Sequence, residues 1–176
     1  MGWTFTNTDL TRKEAVNEMF NWDSDKYRTR VLKSVMKGVI YYGAIEQIGK
    51  DTARRTVTGV VVLTSSDKKH GYNFGYKIID ETMGPSYYDC PRSILDLLTD
   101  TDNEYALEWR KSCRENLSRP KLSDLPIGAN IKVKLNGEEM ELTKYPPCCQ
   151  FKTPVWVNLK NHTYISKKWI TEFEVL

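Results

Sequence analysis

Apolar and polar positions divide the chain into a strand-rich first part, a helical middle and a second strand-rich part. The first element that the pattern predicts is a helix. Thr11 and Glu14 form a capping box, and Ala15 and Met19 follow it at helical spacing. We therefore predict a short helix over residues 12–21, packed on a sheet.

Several segments after this helix have the composition of β-strands. Residues 27–37 fit a helical or a strand period, and the following Gly38 and β-rich segment favour a strand. Residues 56–64 (TVTGVVVLT) are almost all β-branched. Residues 72–79 alternate large and small side chains and are predicted to pair with residues 56–64 across a polar hairpin loop. We predict roughly four antiparallel strands, at residues 27–37, 39–48, 56–64 and 72–79.

Two helices are predicted in the middle of the chain. Pro91 suits the first helical position of one of them. Thr101 and Glu104 form a second capping box, ahead of apolar side chains at every fourth position that include Trp109. On the other side of this helix, Arg110, Lys111 and Arg114 alternate with Glu104, Glu108 and Glu115, which predicts ordinary surface ion pairs.

The last third of the chain consists of short strands separated by turns. Asn136-Gly137 predicts a tight type I′ hairpin turn. Regularly spaced strands of this kind are typical of a small barrel. We predict an α+β fold, with an antiparallel sheet and flanking helices over residues 1–120. A small all-β subdomain at 121–176, an SH3-like or similar β-barrel, is expected to pack on this first domain.

Composition limits the function only weakly. The chain has 176 residues and a net charge of +3, from 26 Lys and Arg against 23 Asp and Glu, which does not require a nucleic-acid partner. Four cysteines without framework spacing, no signal sequence and no long apolar run predict a cytoplasmic protein without membrane segments. Cys148-Cys149 has no CxxC companion, so we expect a buried pair at a strand end and no zinc site. We predict no cofactor.

Three carboxylates lie between the last predicted strand of the sheet and the helices: Asp80, Glu81 and Asp89. Carboxylates at a strand end can hold Mg²⁺ in a nuclease. The chain offers no His or Lys at a fixed spacing to complete such a site. The favoured interpretation is a loop whose acids cap the next helix, and we assign no catalytic residue and no metal ligand.

Basic and aromatic residues provide candidate partner surfaces. If the predicted strands are neighbours, seven basic residues share one region of the sheet: Lys26, Arg28, Arg30, Lys33, Lys37, Arg54 and Arg55. Such a stripe suits a nucleic-acid backbone or an acidic protein, and the alternative is a solvated face balanced by nearby acids. Tyr87 and Tyr88 could anchor a partner or stack on bases, whereas half-buried packing is the alternative.

Five stretches carry a family resemblance: Tyr72–Lys77, Asp80–Pro85, Asp89–Pro91, Ile94–Thr99 and Glu108–Arg110. Together they resemble an uncharacterised family of bacterial, phage and plasmid proteins, a domain of unknown function. The similarity spans nearly the whole chain and is strongest from residue 59 to 115. It implies a mobile genetic element, whose small proteins often disable a host defence enzyme, and it carries no site residue over.

Three hypotheses follow. The first is a non-catalytic binding protein that engages a protein or ribonucleoprotein, such as a host defence nuclease in the manner of an anti-CRISPR. The second is a metal-dependent enzyme acting on nucleic acid through Asp80, Glu81 and Asp89. The third is a general RNA- or DNA-binding module that uses the C-terminal barrel. The oligomeric state is not predicted.

Overall fold

Antiparallel sheets and helices build this α+β chain, as the sequence pattern predicts. The computed structural model describes residues 2–23, 27–49 and 55–176. The chain divides into a first unit, Met1–Ser118, and a second unit, Arg119–Leu176. In the described residues, no helix is long and apolar enough to cross a membrane.

The first unit contains a sheet that is six-stranded over the described residues, in the order β1-β6-β5-β4-β3-β2, with every pair antiparallel. The predicted strands correspond to β3–β6, and the short edge strands β1 and β2 are additional. Strands of three and two residues are too short to show a period of two. The strands are β1 (Thr4–Thr6), β2 (Trp22–Asp23), β3 (Tyr27–Lys37), β4 (Ile40–Gly49), β5 (Arg55–Asp67) and β6 (Tyr72–Asp80).

Helices cover both faces of this sheet. Helix α1 (Arg12–Phe20) packs on the face that carries Tyr41 and Ile45. Helices α2 (Arg92–Leu95) and α3 (Glu104–Ser118) pack on the opposite face, over Tyr42 and Ala44. This alternation along β4 explains why nearly all of its side chains are buried.

The two predicted capping boxes have different outcomes. At α1, the Thr11 backbone donates to the Glu14 carboxylate over 2.8 Å and the Glu14 backbone donates to the Thr11 hydroxyl, which confirms the first box. The second is wrong. Helix α3 begins at Glu104, and the Asn103 side chain accepts from Ala106 N at 3.0 Å, while Thr101 accepts from Asn103 N. Asn is as good an N-cap as Thr, and it lies at the correct distance from the first turn.

In the second unit, which the structure describes completely, a five-stranded antiparallel sheet has the order β10-β9-β8-β7-β11. Asn136 (φ 52°) and Gly137 (φ 88°) both adopt positive φ, which confirms the type I′ turn. Ile131, Leu142 and Trp156 lie in the core of the second unit. The strands are β7 (Asn130–Leu135), β8 (Glu138–Tyr145), β9 (Val155–Asn158), β10 (Thr163–Ile165) and β11 (Glu174–Val175).

Trp109 of α3 is the largest side chain in the core of the first unit and is 1% exposed. Its ring lies directly over Gly59 of β5, where an added Cβ would be 2.9 Å from Cζ3 of the indole. This contact requires a residue without a side chain, because real Cβ atoms do not approach that closely. Gly59 therefore sets the distance between α3 and the sheet.

We expect Gly59→Ala to destabilise the protein by about 1–3 kcal/mol, because the indole has to shift within a packed core. Urea denaturation measures this difference. Gly2→Ala is the matched control, since an added Cβ there meets nothing within 4 Å. Equal midpoints for the two variants would contradict this packing.

Candidate functional site

Helix α3 holds the loop of residues 84–89, here called the tyrosine loop, through hydrogen bonds to its main chain. The Trp109 indole N–H donates to the Tyr87 carbonyl over 2.8 Å, and Asn116 Nδ2 donates to the Tyr88 carbonyl over 3.0 Å. The two tyrosine side chains are 37% and 44% exposed. The loop backbone is therefore fixed, while both rings remain accessible to solvent.

Asp89 ties the end of the tyrosine loop to the sheet. The buried Tyr42 hydroxyl donates to the Asp89 carboxylate. Lys37 Nζ at the end of β3 donates to the Asp89 carbonyl over 2.6 Å. Burial, with the hydrogen bond to Asp89, raises the pKa of Tyr42, so this phenol stays protonated. Asp89 therefore has a structural role here, between the loop and two strands.

Strand β3 carries four predicted basic residues, here called the basic row, on one face of the sheet. A β-bulge between Val31 and Lys33 is the reason, because it leaves Leu32 without a partner on β4. In a regular strand, Lys33 and Lys37 would face away from Arg28 and Arg30. The partners of the row are alternate residues of β4, which share a face: Arg28 with Ile48, Arg30 with Glu46, Lys33 with Ala44, and Lys37 with Ile40.

The row is accessible along most of its length. Arg28 and Lys33 are exposed, and Lys37 is half-buried by its bond to Asp89. The Arg30 side chain is 57% exposed and pairs with the wholly buried Glu46. The other predicted members differ: Lys26 and Arg54 lie outside the described residues, as does the side chain of Arg55, whose backbone pairs with Ile48.

The three predicted carboxylates are held separately, each by its own protein partner. Asp80 accepts from the backbone and hydroxyl of Thr82 and so caps a 3₁₀ turn. Glu81 is 1% exposed and is bound by Arg110, whose Nε and Nη2 donate to its two oxygens over 2.6 and 2.7 Å. Asp89 bonds to Tyr42. Throughout the described ranges, no group of three or more His, Cys, Asp and Glu could hold a metal ion.

The pairing of Glu81 with Arg110 corrects the prediction that Arg110 makes an ordinary surface ion pair. Arg110 is 7% exposed, and its Nη1 also donates to the Thr99 carbonyl over 2.6 Å. The prediction is confirmed for Lys111, whose Nζ lies 3.8 Å from Oε1 of Glu115. Helical spacing shows which residues share a helix face, but it does not show that another element covers one of them.

A cleft of about 500 Å³ opens beside this buried pair. Thr56 and Thr58 of β5 form one wall, and residues 99–102 form another. The sequence does not indicate this cleft, because its threonines come from separate elements and no spacing connects them. Hydroxyl groups and acids contribute to its lining, and its mouth is open.

The four cysteines fall into two environments. Cys90 and Cys113 are buried, and burial raises the pKa of Cys90 and raises the pKa of Cys113 to about 11. Such thiols stay protonated and unreactive at neutral pH. Cys148 and Cys149 are exposed, so the prediction of a buried pair is wrong. They lie in a tight turn, where Cys148 and Phe151 exchange two backbone hydrogen bonds of 2.9 and 3.0 Å.

The fold and site thus define an α+β protein with an exposed basic row next to a fixed pair of tyrosines. Residues 100–152 match the model of a family described as Domain of unknown function (DUF6927), less than a third of the chain. This match is consistent with the resemblance to an uncharacterised family. No curated protein and no solved structure matches the chain.

We expect Glu81→Gln to lower the free energy of unfolding by about 3–5 kcal/mol, because it leaves the buried Arg110 charge without its counter-charge. Denaturant titration measures this change. The exposed Glu108 on the same helix as Arg110 supplies the control, and Glu108→Gln should stay within about 0.5 kcal/mol of the wild type. A loss of biological effect without any loss of stability in Glu81→Gln would point to chemistry at this carboxylate.

Stability should fall as the pH rises from about 9 towards 11, because the folded state keeps the Cys113 proton after the unfolded chain has lost it. The contribution is complete below the ordinary thiol pKa and is lost as the pH approaches the raised one. Urea titrations at successive pH values test this. The stability advantage of the wild type over Cys113→Ala should shrink across this window, and a constant difference would contradict the buried, protonated thiol.

Proposed function

We propose that this protein is a non-catalytic binding protein that engages an acidic surface of a protein or ribonucleoprotein. The observation that carries the proposal is the bulge at Leu32, which turns the basic row to one face of the sheet. Lys37, at the end of the row, is bonded to the tyrosine loop. Arg and Tyr are the residue types that dominate binding energy at protein interfaces.

The electrostatics of the row favour association with an anionic partner. Arg30 is oriented by its ion pair with Glu46, so binding costs less of its side-chain freedom. Arg28 and Lys33 on either side are exposed. Charges of this kind at the rim of an interface mainly accelerate association and select the partner, whereas buried rings provide most of the binding energy.

Catalysis by the carboxylates has less support. Both oxygens of Glu81 accept from Arg110, and Asp80 and Asp89 bond to Thr82 and Tyr42. The contacts of all three are those of structural residues. A metal-dependent nuclease would need at least two of them directed at one ion.

The narrower proposal rests on the family resemblance alone. In this proposal the protein acts in the cytoplasm as a counter-defence protein of a phage or another mobile element. Its partner would be a host defence nuclease, as for an anti-CRISPR. For the second unit we propose an SH3-like barrel, which its five short antiparallel strands and shared core cluster support.

Affinity purification of the tagged protein tests the binding proposal. We expect one dominant, stoichiometric partner, with affinity reduced at least about tenfold in Arg28→Ala/Lys33→Ala and in Tyr87→Ala/Tyr88→Ala. The control Lys111→Ala/Arg114→Ala removes the same charge from exposed positions on α3 and should keep full affinity. Quantitative mass spectrometry of the purified complexes measures the difference.

Recovery of no stoichiometric partner, or an equal loss in the row and control variants, would contradict the proposal. The counter-defence proposal has its own test. The wild-type protein should block the nuclease activity of the purified partner, and the Arg28→Ala/Lys33→Ala variant should not. A partner that is bound but remains fully active would overturn the narrower proposal and leave the binding proposal in place.

A further inference from the structure

The net charge of the chain is concentrated in the second unit. Residues 119–176 contain nine Lys and Arg against six Asp and Glu, a net charge of +3 that equals the net charge of the whole chain. Within this unit the charges are also separated. Residues 142–171 contain five Lys and no acidic residue, whereas most of the acids lie on the β7–β8 hairpin and near the C-terminus.

All but one of these lysines are exposed. Lys144 is buried, and its ammonium group donates to the carbonyls of Leu122, Ser123 and Leu125 over 2.5–3.2 Å. The exposed lysines lie before β9, in the turn between β9 and β10, and in the 3₁₀ turn after β10: Lys152, Lys160, Lys167 and Lys168. The segment around β9 and β10 therefore carries an excess of positive charge.

Aromatic side chains accompany these lysines. Trp169 is 72% exposed, and Tyr164 on β10 is 53% exposed. A tryptophan this exposed is unusual, because the side chain forgoes most of the hydrophobic stabilisation that burial would give it. The Phe151 ring lies 5.0 Å from the Tyr164 ring, centroid to centroid, and supports it from one side.

The turn that carries Trp169 is anchored at both ends. Ile165 before the turn packs against the core of the second unit, and Ile170 after it is 6% exposed within that core. The Ser166 hydroxyl caps the turn by accepting from Lys168 N over 3.4 Å. Lys167, Lys168 and Trp169 are consequently exposed on a short, fixed segment.

We propose that this surface of the second unit binds single-stranded nucleic acid, with Trp169 and Tyr164 stacking on bases and Lys160, Lys167 and Lys168 contacting phosphates. Positive charge interleaved with exposed aromatic rings is the arrangement that binds single strands without sequence preference. An acidic protein would satisfy the lysines but would not require two exposed rings beside them. This surface lies in a different unit from the basic row, and its assignment does not depend on the proposed function.

Fluorescence anisotropy of the full chain with labelled oligo-dT and oligo-U of about 12 nucleotides tests the proposal. Trp169→Ala should weaken binding by about 5- to 100-fold. Lys160→Ala/Lys167→Ala/Lys168→Ala should reduce the slope of log K against log salt by about 2, because each neutralised phosphate contributes roughly 0.7 to that slope on a single strand. Tyr105→Ala is the aromatic control, because this residue is 64% exposed on α3 of the first unit, and its affinity should be unchanged.

Three outcomes would overturn the proposal. One is no binding at about 50 mM salt, where phosphate contacts are strong. Another is an equal loss of affinity in Trp169→Ala and Tyr105→Ala. The third is that a duplex of the same length binds as tightly as the single strand and that Trp169→Ala has no effect on either. This result would mean that charge attracts the nucleic acid and that no base stacks on the ring. Circular dichroism of each variant should match the wild type, because every substituted side chain is exposed.

Discussion

The indole of Trp109 connects the sheet, α3 and the tyrosine loop. One part of it lies on Gly59 of β5, and its N–H donates to the Tyr87 carbonyl. A buried indole N–H needs a hydrogen-bond acceptor, and the Tyr87 carbonyl supplies it. The same hydrogen bond fixes the tyrosine loop to α3. The same loop carries the exposed Tyr87 and Tyr88, and it ends at Asp89, whose carbonyl accepts from Lys37.

Sequence patterns predicted the long elements well and the partners of individual side chains poorly. Strand β3 has the predicted bounds. Its period in the sequence is ambiguous because the bulge at Leu32 interrupts the regular alternation. The ambiguous period does not reveal where the bulge lies, yet the bulge places all four residues of the basic row on one face. The buried pair of Glu81 and Arg110 joins positions 29 residues apart, and no local spacing indicates such a contact.

The two candidate surfaces differ in chemistry in a way that follows from their local charge. In the first unit, acids accompany the basic row, including the buried Glu46. The row therefore places positive charges at defined positions without a large net excess of charge. In the second unit a stretch of 30 residues without acids gives a net excess. Charges at defined positions favour recognition of a partner with a complementary charge pattern, whereas a net excess of positive charge favours binding to a uniformly charged polymer.

Hydrogen–deuterium exchange of the protein, free and in complex with its purified partner, tests whether the basic row and the tyrosine loop form the partner contact. We expect slower exchange on binding in peptides that cover β3 and residues 84–89. Peptides of α1, on the opposite face of the sheet, should exchange at the same rate in both states. Protection confined to α1, or no protection in β3 and the tyrosine loop, would contradict this contact.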